Sequence, residues 1–147
     1  MAESEDKVAE FIELGAAQDR LPTACEHIER NFERGNIVSI HAADREQAGR
    51  LDKLLWTFKQ SSFVPHVLLD EVEEPVIEPV IIAADDEDPP EADVLFVLSG
   101  ETPERWIDAY DHVYDFAPVY DDELKKAARQ RFKTYQDAGY QMRFIGG

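Results

Sequence analysis

The residues with the most chemical potential in this chain are two histidines and two aspartates. His41 lies at the end of a predicted strand and His66 follows Pro65, so either side chain could line a cleft. Asp111 and Asp115 lie four positions apart in a segment that we predict to be helical, and at that spacing they could share a proton. No base or nucleophile is predicted beside them. The pattern therefore favours surface carboxylates that repel each other.

Metal and phosphate sites have little support in the sequence. Cys25 and His27 lie two residues apart in a predicted helix, a spacing that directs them to different faces. The acidic run at residues 85–88 lacks the alternating ligands and central glycine of a calcium-binding loop, so a solvated loop is expected. None of the seven glycines forms a Gly-x-Gly-x-x-Gly or phosphate-loop motif. We predict no metal and no cofactor.

Cations are concentrated near the C-terminus. Five of the fifteen Lys and Arg residues fall at positions 125–133, whereas positions 60–104 hold none and carry thirteen Asp and Glu. On a helix, Lys125, Arg129 and Lys133 form a ridge with Phe132 beside it. Such a strip suits a short acidic peptide with an apolar end. Two alternatives remain open: the cations stabilise the helix end or pair with local acids, and Phe132 belongs to the core.

A second candidate surface is aromatic. Trp56, Phe58 and Phe63 cluster with the Val-Pro pair at 64–65 around a predicted loop. Aromatic residues are enriched at protein–protein hot spots, so this cluster indicates a partner surface. The alternative is that it covers a sheet edge or packs over the core.

Composition limits the classes of partner. The 147 residues suit one domain spanning 1–147, and the formal net charge of −17 disfavours direct binding to nucleic acid or to anionic membranes. The N-terminus is acidic rather than a signal peptide, and Cys25 has no second cysteine to pair with. These features predict a cytoplasmic protein.

Strands and helices alternate along the chain. We predict strands at 8–14, 36–42, 79–84 and 93–98, and a short edge strand at 140–145. Helices are predicted at 21–35, 44–58 and 121–138, with another that begins at Thr102-Pro103 and runs towards Phe116. The two continuous apolar runs at 79–84 and 93–98 are typical of strands buried on both faces. The order predicts an α/β domain with a mostly parallel sheet.

Several of these segments resemble the chi subunit family of bacterial DNA polymerase III. The matching stretches are Arg-Leu-Asp-Lys-Leu-Leu-Trp at 50–56, Ser-Phe-Val-Pro-His at 62–66, Asp-Phe-Ala-Pro at 115–118, the helical segment 124–135, and Ala-Gly-Tyr at 138–140. Their order and spacing follow the family. Two differences are Ala117 in place of an expected valine and Phe132 in place of a tyrosine.

The resemblance implies a three-layer α/β/α fold that is Rossmann-like without a nucleotide site. It further implies a non-catalytic adaptor. Its partners would be the psi subunit of the clamp loader and the acidic C-terminal tail of single-stranded-DNA-binding protein, which ends in Pro-Phe. Some family members also bind a helicase of the iron–sulfur superfamily. Less favoured alternatives are an adaptor for such a repair helicase without psi, and a small nucleotide-using α/β enzyme that employs Asp111, Asp115 or His66.

Site residues follow from the same resemblance. The tail pocket would use Arg129, Phe132 and Lys133, with Ala117 on its apolar wall. The charge pattern adds Lys125. The psi-facing surface would include Trp56 and Phe63.

Overall fold

A seven-stranded, all-parallel sheet forms the centre of the computed structural model, which describes residues 7–73, 77–103, 105–106 and 108–146. The strands are β1 Val8–Leu14, β2 Val38–Ala42, β3 His66–Leu68, β4 Val80–Ala84, β5 Val94–Val97, β6 His112–Pro118 and β7 Gln141–Ile145. The helices are α1 Arg20–Glu33, α2 Arg45–Thr57 and α3 Asp122–Asp137, with short 3-10 turns at Ala17–Asp19 and Leu69–Glu71. The acidic leader, residues 1–6, lies outside the described residues.

The sheet separates two apolar layers. Its strand order is β3-β4-β2-β5-β6-β1-β7, so β3 and β7 are the edge strands. Ile12 faces a core layer shared with α1 and α2, while its neighbour Phe11 faces the layer shared with α3. Because alternate residues of a strand face opposite sides, this places helices on both faces. The predicted three-layer α/β fold with a parallel sheet is confirmed.

The helix ends follow local sequence signals. Asp44 caps α2 by accepting a hydrogen bond from the backbone N–H of Gln47 at 2.8 Å, and Asp121 caps α3 through Leu124 N–H at 2.9 Å. Helix α3 ends just before Gly139, whose φ of +98° only glycine adopts readily. The helices predicted at 21–35, 44–58 and 121–138 are confirmed as α1, α2 and α3. In the part of the chain that is described, no helix is both long and apolar enough to cross a membrane.

The helix predicted from Thr102-Pro103 towards Phe116 is wrong. Its described residues form turns at Arg105–Trp106 and 108–109, followed by strand β6; Glu104 and Ile107 lie outside the described residues. The four-residue spacing of Trp106 and Tyr110 suggested a helix. Strand β6 instead lies between β5 and β1, where pairing on both sides and burial of 113–118 override that local pattern.

Strand β3 is not predicted from the sequence, which places its first residue, His66, in a loop. It contains only three residues and pairs with β4 alone, from His66↔Val80 to Leu68↔Ile82. A strand this short carries almost no periodicity. The predicted edge strand at 140–145 is confirmed as β7, which pairs with β1 on the other side of the sheet.

Candidate peptide-binding cleft and partner surface

An apolar cleft of about 160 Å³ lies between α3 and the strands β1, β6 and β7. Its lining residues are Phe11, Ala117, Pro118, Val119, Lys125, Ala128, Arg129, Phe132 and Phe144. Four of the five predicted tail-binding residues are in this set. The structure therefore brings together Ala117, Lys125, Arg129 and Phe132 from two separate elements.

Helix α3 presents one face to the cleft. Lys125, Ala128, Arg129 and Phe132 are spaced by three or four residues, so they lie along one side of the helix. Ala128 is buried, and Phe132 is half-buried with its ring centroid 5.5 Å from that of Phe11. Phe132 thus joins the core and also forms a wall of the cleft. The core interpretation of Phe132 is confirmed, and the peptide-binding interpretation of the strip stays a prediction.

The strands supply the opposite wall. Ala117 and Pro118 end β6, directly before the chain turns towards α3. Phe11 pairs in register with Phe144, so both side chains project from the same face of the sheet. Phe144 lies on the edge strand and is 58% exposed. An exposed aromatic side chain at the mouth of an apolar hollow is available to contact a ligand ring.

Only two of the three cations in the predicted ridge line the cleft. Lys125 is half-buried and Arg129 is exposed, and neither makes an ion pair with any described residue. Lys133 does not line the cleft; its Nζ lies 3.8 Å from Asp137 on an exposed part of α3. The cations at the rim are therefore Lys125 and Arg129.

These features define what the cleft can bind. An apolar cavity of about 150 Å³ is enough to hold a benzene ring, so the hollow matches one aromatic or aliphatic side chain. The two rim cations can donate charge-assisted hydrogen bonds to carboxylates beside that side chain. The cleft can therefore accommodate an apolar group attached to a short acidic segment.

A buried ion pair connects two of the elements that form the cleft. Arg131 Nε donates to Asp115 Oδ2 at 2.9 Å, and the same guanidinium donates to the carbonyl oxygens of Phe116 at 2.9 Å and Gly100 at 3.0 Å. The backbone N–H of Phe116 and the hydroxyl of Tyr135 also donate to Asp115, at 2.6 and 3.2 Å. The pair ties α3 to β6, the two elements that carry the cleft residues.

The expectation that Asp115 is a surface carboxylate is wrong. Asp115 is completely buried and lies in strand β6 rather than on a helix, and its partner Arg131 is 5% exposed. Burial raises the pKa of the Asp115 carboxyl, while the charge and hydrogen bonds of Arg131 act in the opposite direction. Burial is the main cause that raises the pKa of the Tyr135 hydroxyl, and the nearby Asp115 raises this pKa further. The hydroxyl therefore stays protonated and acts as a donor. Arg131 is therefore a structural residue and not part of the basic surface.

The second predicted surface is exposed only in part, because Val64 is completely buried and Phe58 packs against the core. Trp56 is 48% exposed and Phe63 is 67% exposed, with ring centroids 5.8 Å apart. Trp56 also packs on His66 at 4.2 Å between ring centroids. Trp56 belongs to α2, whereas Phe63 precedes the edge strand β3. We call this pair the Trp56–Phe63 surface.

The residues considered for catalysis do not converge. The His66 side chain is buried; its Nδ1 lies 2.6 Å from Val64 O, and its Nε2 lies 3.0 Å from Asp52 O. Asp115 is in the other core layer, and Asp111 is exposed just before β6 begins. No group of three potential metal-binding side chains was found among the described residues.

The sequence reasoning missed five cleft residues: Phe11, Pro118, Val119, Ala128 and Phe144. Phe11 and Phe144 reach the same hollow only through the β1–β7 register, and a one-residue shift would turn either one to the opposite face. The edge strand was predicted, but its register was not. Phe144, the one aromatic residue within β7, was the available signal.

The two candidate surfaces lie at opposite edges of the sheet. The cleft adjoins β7 and the Trp56–Phe63 surface adjoins β3. Six strand spacings of about 4.8 Å separate these edges by roughly 29 Å. Ligands of ordinary peptide size can therefore occupy both surfaces at once.

Comparison with known proteins gives a consistent result. Residues 7–143 match the family model described as DNA polymerase III chi subunit, HolC. A protein of Pseudomonas aeruginosa named DNA polymerase III subunit chi is 31% identical over 121 residues, which cover 82% of each chain. The protein of that name from Escherichia coli K12 is 34% identical over 118 residues, covering 80% of this chain and 79% of the relative. The corresponding Haemophilus influenzae protein is 29% identical over 119 residues, 81% of each.

Proposed function

The chain belongs to the DNA polymerase III chi subunit family, and we propose that it is a non-catalytic adaptor that joins the clamp loader to single-stranded-DNA-binding protein. In this proposal the cleft takes the acidic C-terminal tail of single-stranded-DNA-binding protein. The Trp56–Phe63 surface takes psi. The net charge of −17 supports recruitment through these proteins rather than through DNA itself.

The observation that carries the proposal is the apolar cleft, with two cations at its rim that form no ion pair with any described residue. The terminal Phe ring of the tail would fill the hollow between Phe132, Ala117 and Phe144. Burying such a side chain contributes about 1.5–3 kcal/mol. The terminal carboxylate and the preceding aspartates would lie against Lys125 and Arg129. Neither part of this chemistry requires a cofactor.

The tail proposal is tested by fluorescence anisotropy with a labelled peptide ending in Asp-Asp-Asp-Ile-Pro-Phe. We expect a dissociation constant in the micromolar range that increases with salt, because the rim pairs are exposed to solvent. A peptide without the terminal Phe is expected to bind at least about tenfold more weakly, since the hollow stays empty. Equal binding of the two peptides would show that charge alone attracts the tail and that the cleft is not its site.

The adaptor proposal adds a geometric requirement. A bridge must hold both partners at the same time, and the separation of the two edges supports this. We expect purified psi and the tail peptide to form a ternary complex with this chain, with each affinity changed less than about threefold by the other ligand. The reason is that no described residue lines both surfaces.

The measurement is the same anisotropy titration repeated with psi at saturation. Trp56→Ala is expected to weaken psi binding and leave tail binding unchanged. Competition between psi and the tail would contradict the adaptor proposal. If psi does not bind while the tail does, the Trp56–Phe63 surface serves another protein, and an iron–sulfur superfamily helicase is the next partner to test.

A further inference from the structure

The outer side of β7 is an open sheet edge beside the tail cleft. Strand β7 pairs in parallel with β1, and no described strand pairs with it on its other side. It contains five residues, whereas β3, the strand at the opposite edge, contains three. An open strand edge is a place where an extended peptide can bind through main-chain hydrogen bonds.

The register determines which backbone groups are open at this edge. The backbone N–H of Gln141 donates to the carbonyl oxygen of Lys7, so the peptide groups of Gln141 point towards β1. Backbone groups of alternate residues point to opposite sides of a strand, so those of Met142 and Phe144 point outwards. Two N–H donors and two carbonyl acceptors are therefore open to a ligand strand.

Arg143 favours an acidic occupant at this edge. Its side chain is exposed and forms no ion pair with a described residue, and its cross-strand neighbour Glu10 is bonded to His112. A second copy of the chain is disfavoured there, since edge-to-edge pairing would bring the edge arginines and two net charges of −17 together. An acidic peptide would instead meet a charge opposite to its own.

Cations lie on both faces of the sheet near this edge. Successive side chains of a strand point to opposite faces, so Arg143 points away from the face that carries Phe144 and the cleft. Lys125 and Arg129 lie on the cleft side. Consecutive acidic residues of an added strand would alternate between the same two faces, so their carboxylates would have cations on either side. This arrangement fits a run of acids better than a single acid.

We propose that the acidic segment upstream of the terminal Phe of the tail binds along β7 as an eighth parallel strand. The inference rests on the proposed function, because the occupant is the same tail. The hollow adjoins Ala117 and Pro118 at the carboxyl end of β6, so a tail whose last side chain fills it runs in the direction of β7. The hollow then holds the end of the peptide, and the outward peptide groups of Met142 and Phe144 hold the segment before it.

Amide hydrogen exchange measured by NMR distinguishes the two sides of β7. At a saturating concentration of the tail peptide, the amides of Met142 and Phe144 are expected to exchange at least about tenfold more slowly than in the free protein, because they donate to the peptide. The amides of Gln141, Arg143 and Ile145 already point towards β1 and are expected to change less than about threefold. If the tail binds while Met142 and Phe144 exchange at their free rates, the inference is overturned and the proposed function stands. If the tail does not bind at all, both are overturned.

A scan of N-methylated tail peptides tests the same contacts from the ligand side. Methylation of a backbone nitrogen removes one donor without changing the charge of the peptide. In the Asp-Asp-Asp-Ile segment, an added strand directs alternate N–H groups towards β7. Methylation at those positions is expected to weaken binding at least about fivefold, and methylation at the positions between them less than about twofold. Equal effects at all four positions would contradict strand addition.

A matched pair of variants tests the edge cation. Arg143→Gln is expected to weaken binding of the tail peptide about three- to fivefold, the range for a solvent-exposed ion pair. Lys53→Gln removes the same charge from an exposed position on α2 and is expected to weaken binding less than about 1.5-fold. Equal losses in the two variants would mean that overall charge attracts the segment, and would overturn the proposed contact with Arg143.

Discussion

Replacing Arg131 by methionine is expected to lower the free energy of unfolding by about 3–5 kcal/mol, the usual cost of removing one partner of a buried ion pair. The change leaves Asp115 in the core with its main counter-charge gone, and it also removes the donors to the carbonyl oxygens of Phe116 and Gly100. Urea denaturation monitored by circular dichroism measures this loss. The transition midpoint is expected to fall with little change in its slope.

Arg129→Met is the matched control for this variant. It is the same substitution two residues earlier on α3, at an exposed position, and we expect it to change the unfolding free energy by no more than about 0.5 kcal/mol. If the two variants have equal stability, the Arg131–Asp115 pair does not brace the fold.

A double variant separates the loss of the pair from the burial of a lone charge. Asp115→Leu combined with Arg131→Met removes both charges, so neither is left uncompensated. We expect it to be more stable than the sum of the two single changes predicts, because residues in direct contact are not additive. A purely additive result would mean that the two side chains contribute independently.

The Arg131–Asp115 pair also shows where sequence reasoning reaches its limit. Arg131 falls among four other cations on α3, and Asp115 was assigned to a helix that does not exist. Their meeting depends on β6 being a central strand beneath α3, which is a tertiary fact. Local pattern correctly identified the helices at 21–35, 44–58 and 121–138 and the strands at 8–14, 36–42, 79–84, 93–98 and 140–145, but it missed β6. Local pattern could not identify Arg131 as the buried arginine among the cations of α3.

The same limit explains why only part of the candidate cleft was predicted from the sequence. Lys125, Arg129 and Phe132 lie on one helix face, so helical spacing alone is enough to group them. Ala117 was joined to them by family resemblance. Phe144 required the β1–β7 register, and Lys133 lies on the ridge but outside the lining of the hollow. The spacing of residues along one helix or strand can be taken from the sequence. The packing that brings residues of different elements together cannot.

Replacing both rim cations by alanine is expected to weaken binding of the acidic tail peptide by about two orders of magnitude. Each charged hydrogen bond contributes roughly 1–3 kcal/mol, and a tenfold change corresponds to about 1.4 kcal/mol. Lys125→Ala with Arg129→Ala removes the cations that line the cleft and leaves its apolar walls in place. The salt dependence of the remaining affinity is expected to become shallower, because fewer ion pairs are left to screen.

The charge-matched control is Lys53→Ala combined with Lys126→Ala, since both side chains are exposed and neither lines the cleft. It also removes two positive charges and is expected to weaken binding less than about threefold. Equal losses in the two double variants would mean that overall charge, not the cleft, attracts the tail. Lys133→Ala then distinguishes the family-based assignment from the geometry. A loss of tenfold or more would place Lys133 in contact with the tail upstream of the hollow, and a loss under about twofold would restrict the ionic contacts to the rim.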